Sequence, residues 1–96
     1  MKAKIKTTPF DPARYLTTPR EMAVYLSEAL ETGDPAFITD ALGVVTRAKG
    51  MTEIARASGL GRESLYKALR EGSRPEFATV LKVIRALGLN LVAKPA

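Results

Sequence analysis

The chain has 96 residues, of which 46% are hydrophobic, so its composition predicts a single globular domain and excludes a disordered chain. Cysteine and histidine are absent, and no apolar run approaches the ~18 residues that cross a membrane, so we expect no metal, no cofactor, no disulfide and no membrane partner. The net charge of +5 arises entirely in residues 49–96, because residues 1–48 carry six basic and six acidic side chains, and this basic half indicates either a polyanionic partner or a solvated basic surface.

Residues 1–17 are predicted to form an extended N-terminal arm, because Pro9 and Pro12 flank Phe10. The lysines that open this arm are not followed by an apolar core, so the arm is not a secretory signal and we expect a cytoplasmic protein. Residues 18–96 are predicted to form the single domain.

Two sequence signals, each a capping residue followed by a proline, predict where the first two helices begin. Thr18-Pro19-Arg20-Glu21 is a capping box, and Asp34-Pro35 starts the next helix with the same cap and proline. Gly33 and Gly50 are expected to end these helices. Apolar residues recur at helical spacing in both segments: Met22, Tyr25, Leu26, Ala29 and Leu30 in the first, and Phe37, Ile38, Ala41, Leu42, Val45 and Ala48 in the second.

Residues 52–70 are predicted to form two short helices joined by a glycine turn. Thr52 is expected to cap the first helix and Gly59 to end it, and the second helix runs from Arg62 to Arg70. Isolated helices need roughly 12 to 15 residues to be marginal in water, so these two must be held by their neighbours. Two helices joined by a tight glycine turn make a helix-turn-helix. The residues expected to shape its turn are Ala55, Gly59, Leu60 and Leu65.

A fifth helix and a short strand are predicted at the C-terminal end. The helix spans about residues 76 to 87, and Gly88 ends it. Its expected apolar face consists of Phe77, Val80, Leu81, Ile84 and Leu87. Residues 89–93 are a possible strand, which would have to pair with another strand, for instance with its copy in a second subunit.

The second short helix has a face whose chemistry suits DNA. With Leu65 and Leu69 turned inward, the outward set is Arg62, Glu63, Ser64, Tyr66, Lys67 and Arg70. Arginine offers paired donors to guanine and lysine grips guanine or phosphate, while glutamate either accepts from cytosine or pairs with a lysine four residues on. Each residue alone is as well explained by a solvated surface, but as a set on one helix they favour DNA contact.

This stretch resembles the helix-turn-helix of the Cro/λ-repressor (XRE) family. The matching residues are Ile54-Ala55, Gly59-Leu60 and the apolar Leu65 at the centre of the second helix. The resemblance implies an all-α, λ-repressor-like five-helix domain. Met51 or Thr52 stands where the family usually has a glutamine that contacts phosphate, so that contact is not carried over.

Nearly the whole chain is similar to the small addiction module antidote proteins, the HigA-like antitoxins. The segments that carry the similarity are Phe10-Asp11, Tyr15-Leu16, Thr32-Gly33-Asp34, Leu65-Tyr66-Lys67-Ala68-Leu69, Pro75, Phe77 and Leu87-Gly88-Leu89. The similarity implies an antitoxin that neutralises a small RelE/HigB-like toxin and represses its own operon by binding a palindromic operator as a homodimer. Either residues 89–93 or the apolar parts of the first two helices would form the dimer surface, which leaves the other for the toxin.

Three other functions compete with DNA binding as explanations of the sequence. A protein-interaction module could use the same fold without DNA. RNA binding ranks lower, because the chain has only three Phe and three Tyr with which to stack bases. Ser64-Leu65-Tyr66-Lys67 fits the S-x-x-K pattern of serine β-lactam enzymes, but the other motifs of those enzymes are missing and we expect no enzyme.

Overall fold

The computed structural model describes residues 11–96, which contain five α-helices and no strand, as the all-α prediction requires. The helices are α1 (Pro19–Glu31), α2 (Pro35–Lys49), α3 (Met51–Ser58), α4 (Arg62–Leu69) and α5 (Phe77–Ala86), with a 3-10 turn at Pro12–Tyr15 before them. None of the helices in this part of the chain is long and apolar enough to cross a membrane.

The start of α1 is the capping box that the sequence predicts. The Thr18 hydroxyl accepts from the Glu21 N–H at 3.1 Å, and the Glu21 carboxylate accepts from the Thr18 N–H at 3.1 Å. The same carboxylate accepts from the backbone N–H of Thr17 at 2.8 Å. These hydrogen bonds, of which the one from the Thr17 backbone matters most, hold the pKa of Glu21 below its usual value of 4.5.

Helix α2 is the centre of the fold. It begins where Asp34 accepts from the N–H groups of Ala36 and Phe37, at 3.1 and 3.4 Å, and it ends at Gly50. It contacts α1, α3, α4 and the 3-10 turn, so its middle turns are covered on all sides. Its buried residues are Ala41, Leu42, Gly43, Val44, Val45 and Thr46.

The core joins all five helices. Its buried members are Met22, Leu26, Ala29, Ala41, Leu42, Val45, Ile54, Ala55, Leu65, Leu69, Val83, Ile84 and Leu87. Helices α3 and α4 have eight residues each, too few to be stable alone, and both gain their stability by adding side chains to this cluster.

The prediction of an extended arm is wrong for residues 12–15. Asp11 caps the 3-10 turn by accepting from the Ala13 N–H at 3.1 Å, and the Asp11 side chain also accepts from Arg47 of α2 at 2.8 Å. Leu16 then packs against the core. The turn is therefore fixed to α2 by a cap and an ion pair, while Phe10 lies outside the described residues.

The predicted strand at residues 89–93 is absent. After α5 the Leu89 N–H donates to the Ile84 carbonyl at 3.1 Å and the Gly88 N–H donates to the Arg85 carbonyl at 3.0 Å. Gly88 has φ of 81°, so these bonds form a Schellman cap that satisfies the last carbonyls of the helix. Beyond Leu89 the chain has no strand to pair with among residues 11–96, so a ladder cannot form.

Two phenylalanines that were predicted to face the core are exposed. Phe37 is 50% exposed and Phe77 is 64% exposed. Each lies within the first three residues of its helix, α2 or α5, before the turns that hold the buried residues of that helix. Phe37 lines an open groove against residues 70–73, the start of the loop after α4.

Candidate nucleic-acid interface

The turn between α3 and α4 is built on two glycines with positive φ. Gly59 has φ of 76° and ends α3, where its N–H donates to the carbonyls of Ala55 and Arg56. Gly61, with φ of 80°, precedes α4. Ser58 tightens the turn, since its hydroxyl donates to the Ala55 carbonyl and accepts from the Leu60 N–H, both at 3.3 Å. L-residues with side chains rarely adopt this backbone, so glycine is favoured at both sites.

Packing fixes which face of α4 points outward. Leu65 is fully buried and Leu69 is 9% exposed, so both side chains anchor α4 in the core. Ala55 of α3 is 6% exposed, and Leu60 in the turn packs against the core cluster. Of the residues predicted to shape the turn, Ala55, Leu60 and Leu65 pack in or against the core, and Gly59 ends α3.

All six residues predicted to contact DNA are exposed: Arg62, Glu63, Ser64, Tyr66, Lys67 and Arg70. The helix itself stops at Leu69, one residue earlier than predicted, and Arg70 continues in an extended conformation with ψ of 160°. No ion pair joins Glu63 to Lys67 within the described part of the chain, so the alternative of an i+4 pair is not what the structure shows.

Arg62 is held by two side chains on different helices. Its Nη1 donates to the Thr52 hydroxyl of α3 at 2.8 Å, and its Nη2 donates to the Tyr66 hydroxyl of α4 at 3.2 Å. The guanidinium carbon also lies 5.5 Å from the centre of the Tyr66 ring, a cation–π distance. The Arg62 guanidinium, at the first position of α4, is thus oriented in the protein without a bound partner.

The contact of Thr52 with Arg62 on this surface is one that the sequence did not predict. It was predicted to cap α3, but α3 begins at Met51 after Gly50, and Thr52 lies inside the first turn. Its hydroxyl is therefore free of a capping role and accepts from Arg62 instead. The position of Thr52 could have indicated this contact, because Thr52 and Arg62 occupy the first turns of two helices joined by one short turn.

The exposed charge is divided between two parts of the molecule. All nine basic and all four acidic residues of 49–96 are exposed, which leaves this part with a net charge of +5. Residues 11–48 carry three basic and six acidic side chains, and five of the six acidic residues are exposed. The α4 face lies in the basic part, where a polyanion would be attracted. Among residues 11–96 no group of three or more acidic residues could hold a metal ion.

The fold and this surface define a small all-α protein that presents a short basic helix beside a tight turn. Residues 6–95 match the family described as "Probable addiction module antidote protein", and the chain belongs to that family. An uncharacterized protein of Haemophilus influenzae is 48% identical over 81 residues, which cover 84% of this chain and 84% of that protein. The search of solved structures found no match.

Proposed function

We propose that this protein is a sequence-specific DNA-binding transcriptional regulator and the antitoxin of a type II toxin-antitoxin system. In this proposal α3 and α4 are a helix-turn-helix of the Cro/λ-repressor class, with α4 as the recognition helix. The observation that carries the proposal is the exposed basic face of α4, on a helix whose opposite face is anchored by Leu65. The protein would act in the cytoplasm and perform no catalysis.

The exposed side chains of α4 form two groups, those suited to hydrogen-bonding with bases and those suited to contacting phosphate. A major groove ~12 Å wide accepts one α-helix, because the diameter of a helix with its side chains is about 10 to 12 Å. Arg62, at the helix N-terminus, has the donor geometry for guanine, and Glu63 can accept from cytosine. The remaining side chains of the face suit phosphate contacts or a thymine methyl: Ser64, Tyr66, Lys67 and Arg70.

A homodimer on a palindromic operator follows from the length of α4. A helix of eight residues contacts only a few base pairs, too few for selection within a genome. Two copies that bind half-sites ~34 Å apart double the contacted sequence. The structure leaves apolar side chains exposed on both candidate dimer surfaces, Val24 and Phe37 on the first two helices and Leu91 and Val92 near the C-terminus.

A toxin partner is supported by the family and by the surface. The family description names an addiction module antidote, which implies a toxin as partner. Phe77 exposes 64% of its side chain, and aromatic residues such as phenylalanine are enriched at protein interfaces. We propose that the toxin is RelE/HigB-like, as the resemblance to HigA-like antitoxins implies.

Two assays test the two activities separately. Fluorescence anisotropy with the DNA upstream of this gene, against a shuffled duplex of equal length, tests the regulator, and we expect tighter binding to the native sequence. Co-expression with the adjacent small open reading frame tests the antitoxin, and we expect growth to be restored. The variant with Arg62→Ala and Lys67→Ala should lose DNA binding and still restore growth. Equal binding to both duplexes would contradict the regulator, and no rescue by the wild type would contradict the antitoxin.

A further inference from the structure

We propose that Thr52 is a positioning residue that orients Arg62 for reading guanine at the operator. This inference rests on the proposed DNA-binding function. It assigns to Thr52 no contact with DNA of its own, and it places the first determinant of base specificity on α3 rather than on α4 alone.

The geometry restrains the guanidinium from two directions. Thr52 accepts from Nη1 at 2.8 Å from the α3 side, and the Tyr66 hydroxyl accepts from Nη2 at 3.2 Å from one turn further along α4. The Tyr66 ring lies 5.5 Å from the guanidinium carbon. Two hydrogen bonds to different helices and one ring contact define the plane of the group.

The restrained guanidinium keeps the donors that guanine requires. Each terminal nitrogen of arginine carries two N–H groups, so one on Nη1 and one on Nη2 remain after the bonds to Thr52 and Tyr66. Together with the Nε–H they supply the paired donors that match guanine O6 and N7. Because the side chain is already oriented, less freedom is lost when DNA binds.

Thr52 acts by accepting, so removal of its hydroxyl isolates its role. Thr52→Val keeps the branched shape and removes the acceptor, whereas Thr52→Ser keeps the acceptor. Thr52 is exposed and makes no cap, so neither change should alter the thermal midpoint measured by circular dichroism. The probes are a duplex selected from a random library by the wild-type protein and an unselected duplex of equal length.

We expect Thr52→Val to bind the selected duplex about fivefold more weakly, with unchanged binding to the unselected one, and Thr52→Ser to bind within about twofold of the wild type. In an Arg62→Ala background Thr52→Val should have no further effect, because the residue it positions is gone. In the free protein, NMR signals of the Arg62 guanidinium should show restricted rotation in the wild type and in Thr52→Ser, and faster rotation in Thr52→Val, where only Tyr66 still holds the group.

Two results would overturn the inference. If Thr52→Val weakens binding to the unselected duplex equally, or weakens binding in the Arg62→Ala background, then Thr52 touches phosphate itself. If Thr52→Val changes neither binding nor the NMR signals, then Thr52 does not position Arg62. A wild-type protein that does not discriminate between duplexes contradicts the proposed function instead, and the NMR comparison then still decides whether Thr52 restrains Arg62.

Discussion

Asp11 and Arg47 are joined by a 2.8 Å ion pair that fixes the 3-10 turn to the central helix α2. The same Asp11 oxygen accepts from the Ala13 N–H, so one carboxylate both caps the turn and holds it against the fold. The Asp11 side chain is 9% exposed and that of Arg47 is 32% exposed, which limits solvent screening of the pair.

Substitution at Asp11 is therefore expected to destabilise the protein. Asp11→Ala removes the cap and leaves Arg47 without this carboxylate, so we expect a loss of about 1 to 3 kcal/mol in the free energy of unfolding. Asp11→Asn keeps an oxygen acceptor at the cap and should lose less. Urea unfolding of both variants measures the difference. Equal losses would contradict the dual role of the carboxylate.

Gly59 sets the turn between α3 and α4, and its φ of 76° is unfavourable for other residues. A Cβ added at Gly59 would meet nothing within 4 Å, so the cost of substitution is backbone strain alone. We expect Gly59→Ala to lose about 1 to 2 kcal/mol of stability, Gly59→Val more, and Gly59→Asn less.

Thermal and urea unfolding test this order, with Ala57→Val on the exposed side of α3 as the matched control. The control should lose less than about 1 kcal/mol, because valine in a helix costs only its propensity. A Gly59→Val variant with wild-type stability would show that the turn does not depend on a left-handed residue.

Glu21 makes the stability of α1 depend on pH. Its pKa is lower in the folded protein than its usual 4.5, because the Thr17 and Thr18 groups donate to the carboxylate. A lowered folded pKa means that the stabilisation is present above the unfolded pKa and is lost as pH falls through the folded pKa. We expect Glu21→Gln to be less stable than the wild type at neutral pH, with a gap that narrows below pH 4.5. A difference in the free energy of unfolding between the two proteins that is the same at every pH would contradict this.

Arg62 is the residue whose removal should most affect sequence preference. If it reads guanine, Arg62→Ala costs about 1 to 3 kcal/mol on the selected duplex and relaxes the preference at one base step, with a smaller loss on unselected DNA. Arg85→Ala, an exposed arginine on α5, is the matched control and should change binding to the two duplexes little. Equal losses on both duplexes for Arg62→Ala would show that it contacts phosphate only.

Local signals in the sequence predicted most of the fold. The caps at Thr18 and Asp34 act over two or three residues, and the structure contains both. Leu65 and Leu69 lie at helical spacing and are buried, and this spacing also predicted which face of α4 points outward. A capping residue marks where a helix starts, and the spacing of apolar residues marks which face it buries. Both signals depend only on residues close together in the sequence.

The predictions that failed depended on the ends of elements and on partners far along the chain. Phe37 fits the apolar period of α2, but a period does not show how much of the first turn other elements cover. The ion pair that folds Asp11 onto α2 spans 36 residues, and the Thr52–Arg62 bond joins two helices. A strand at 89–93 needs a partner strand, which residues 11–96 do not supply.

The salt dependence of binding to duplex DNA is the sharpest test of whether this protein is a DNA-binding regulator. Anisotropy titrations of the selected duplex at increasing salt give the slope of log affinity against log salt concentration, which falls by about 0.9 for each phosphate neutralised. If the α4 face and its neighbouring cations bind the duplex, the slope will be several units negative, and Lys67→Ala or Arg70→Ala will each reduce it by about one. A flat salt response with unchanged affinity in these variants would contradict DNA binding and favour a module that contacts only proteins.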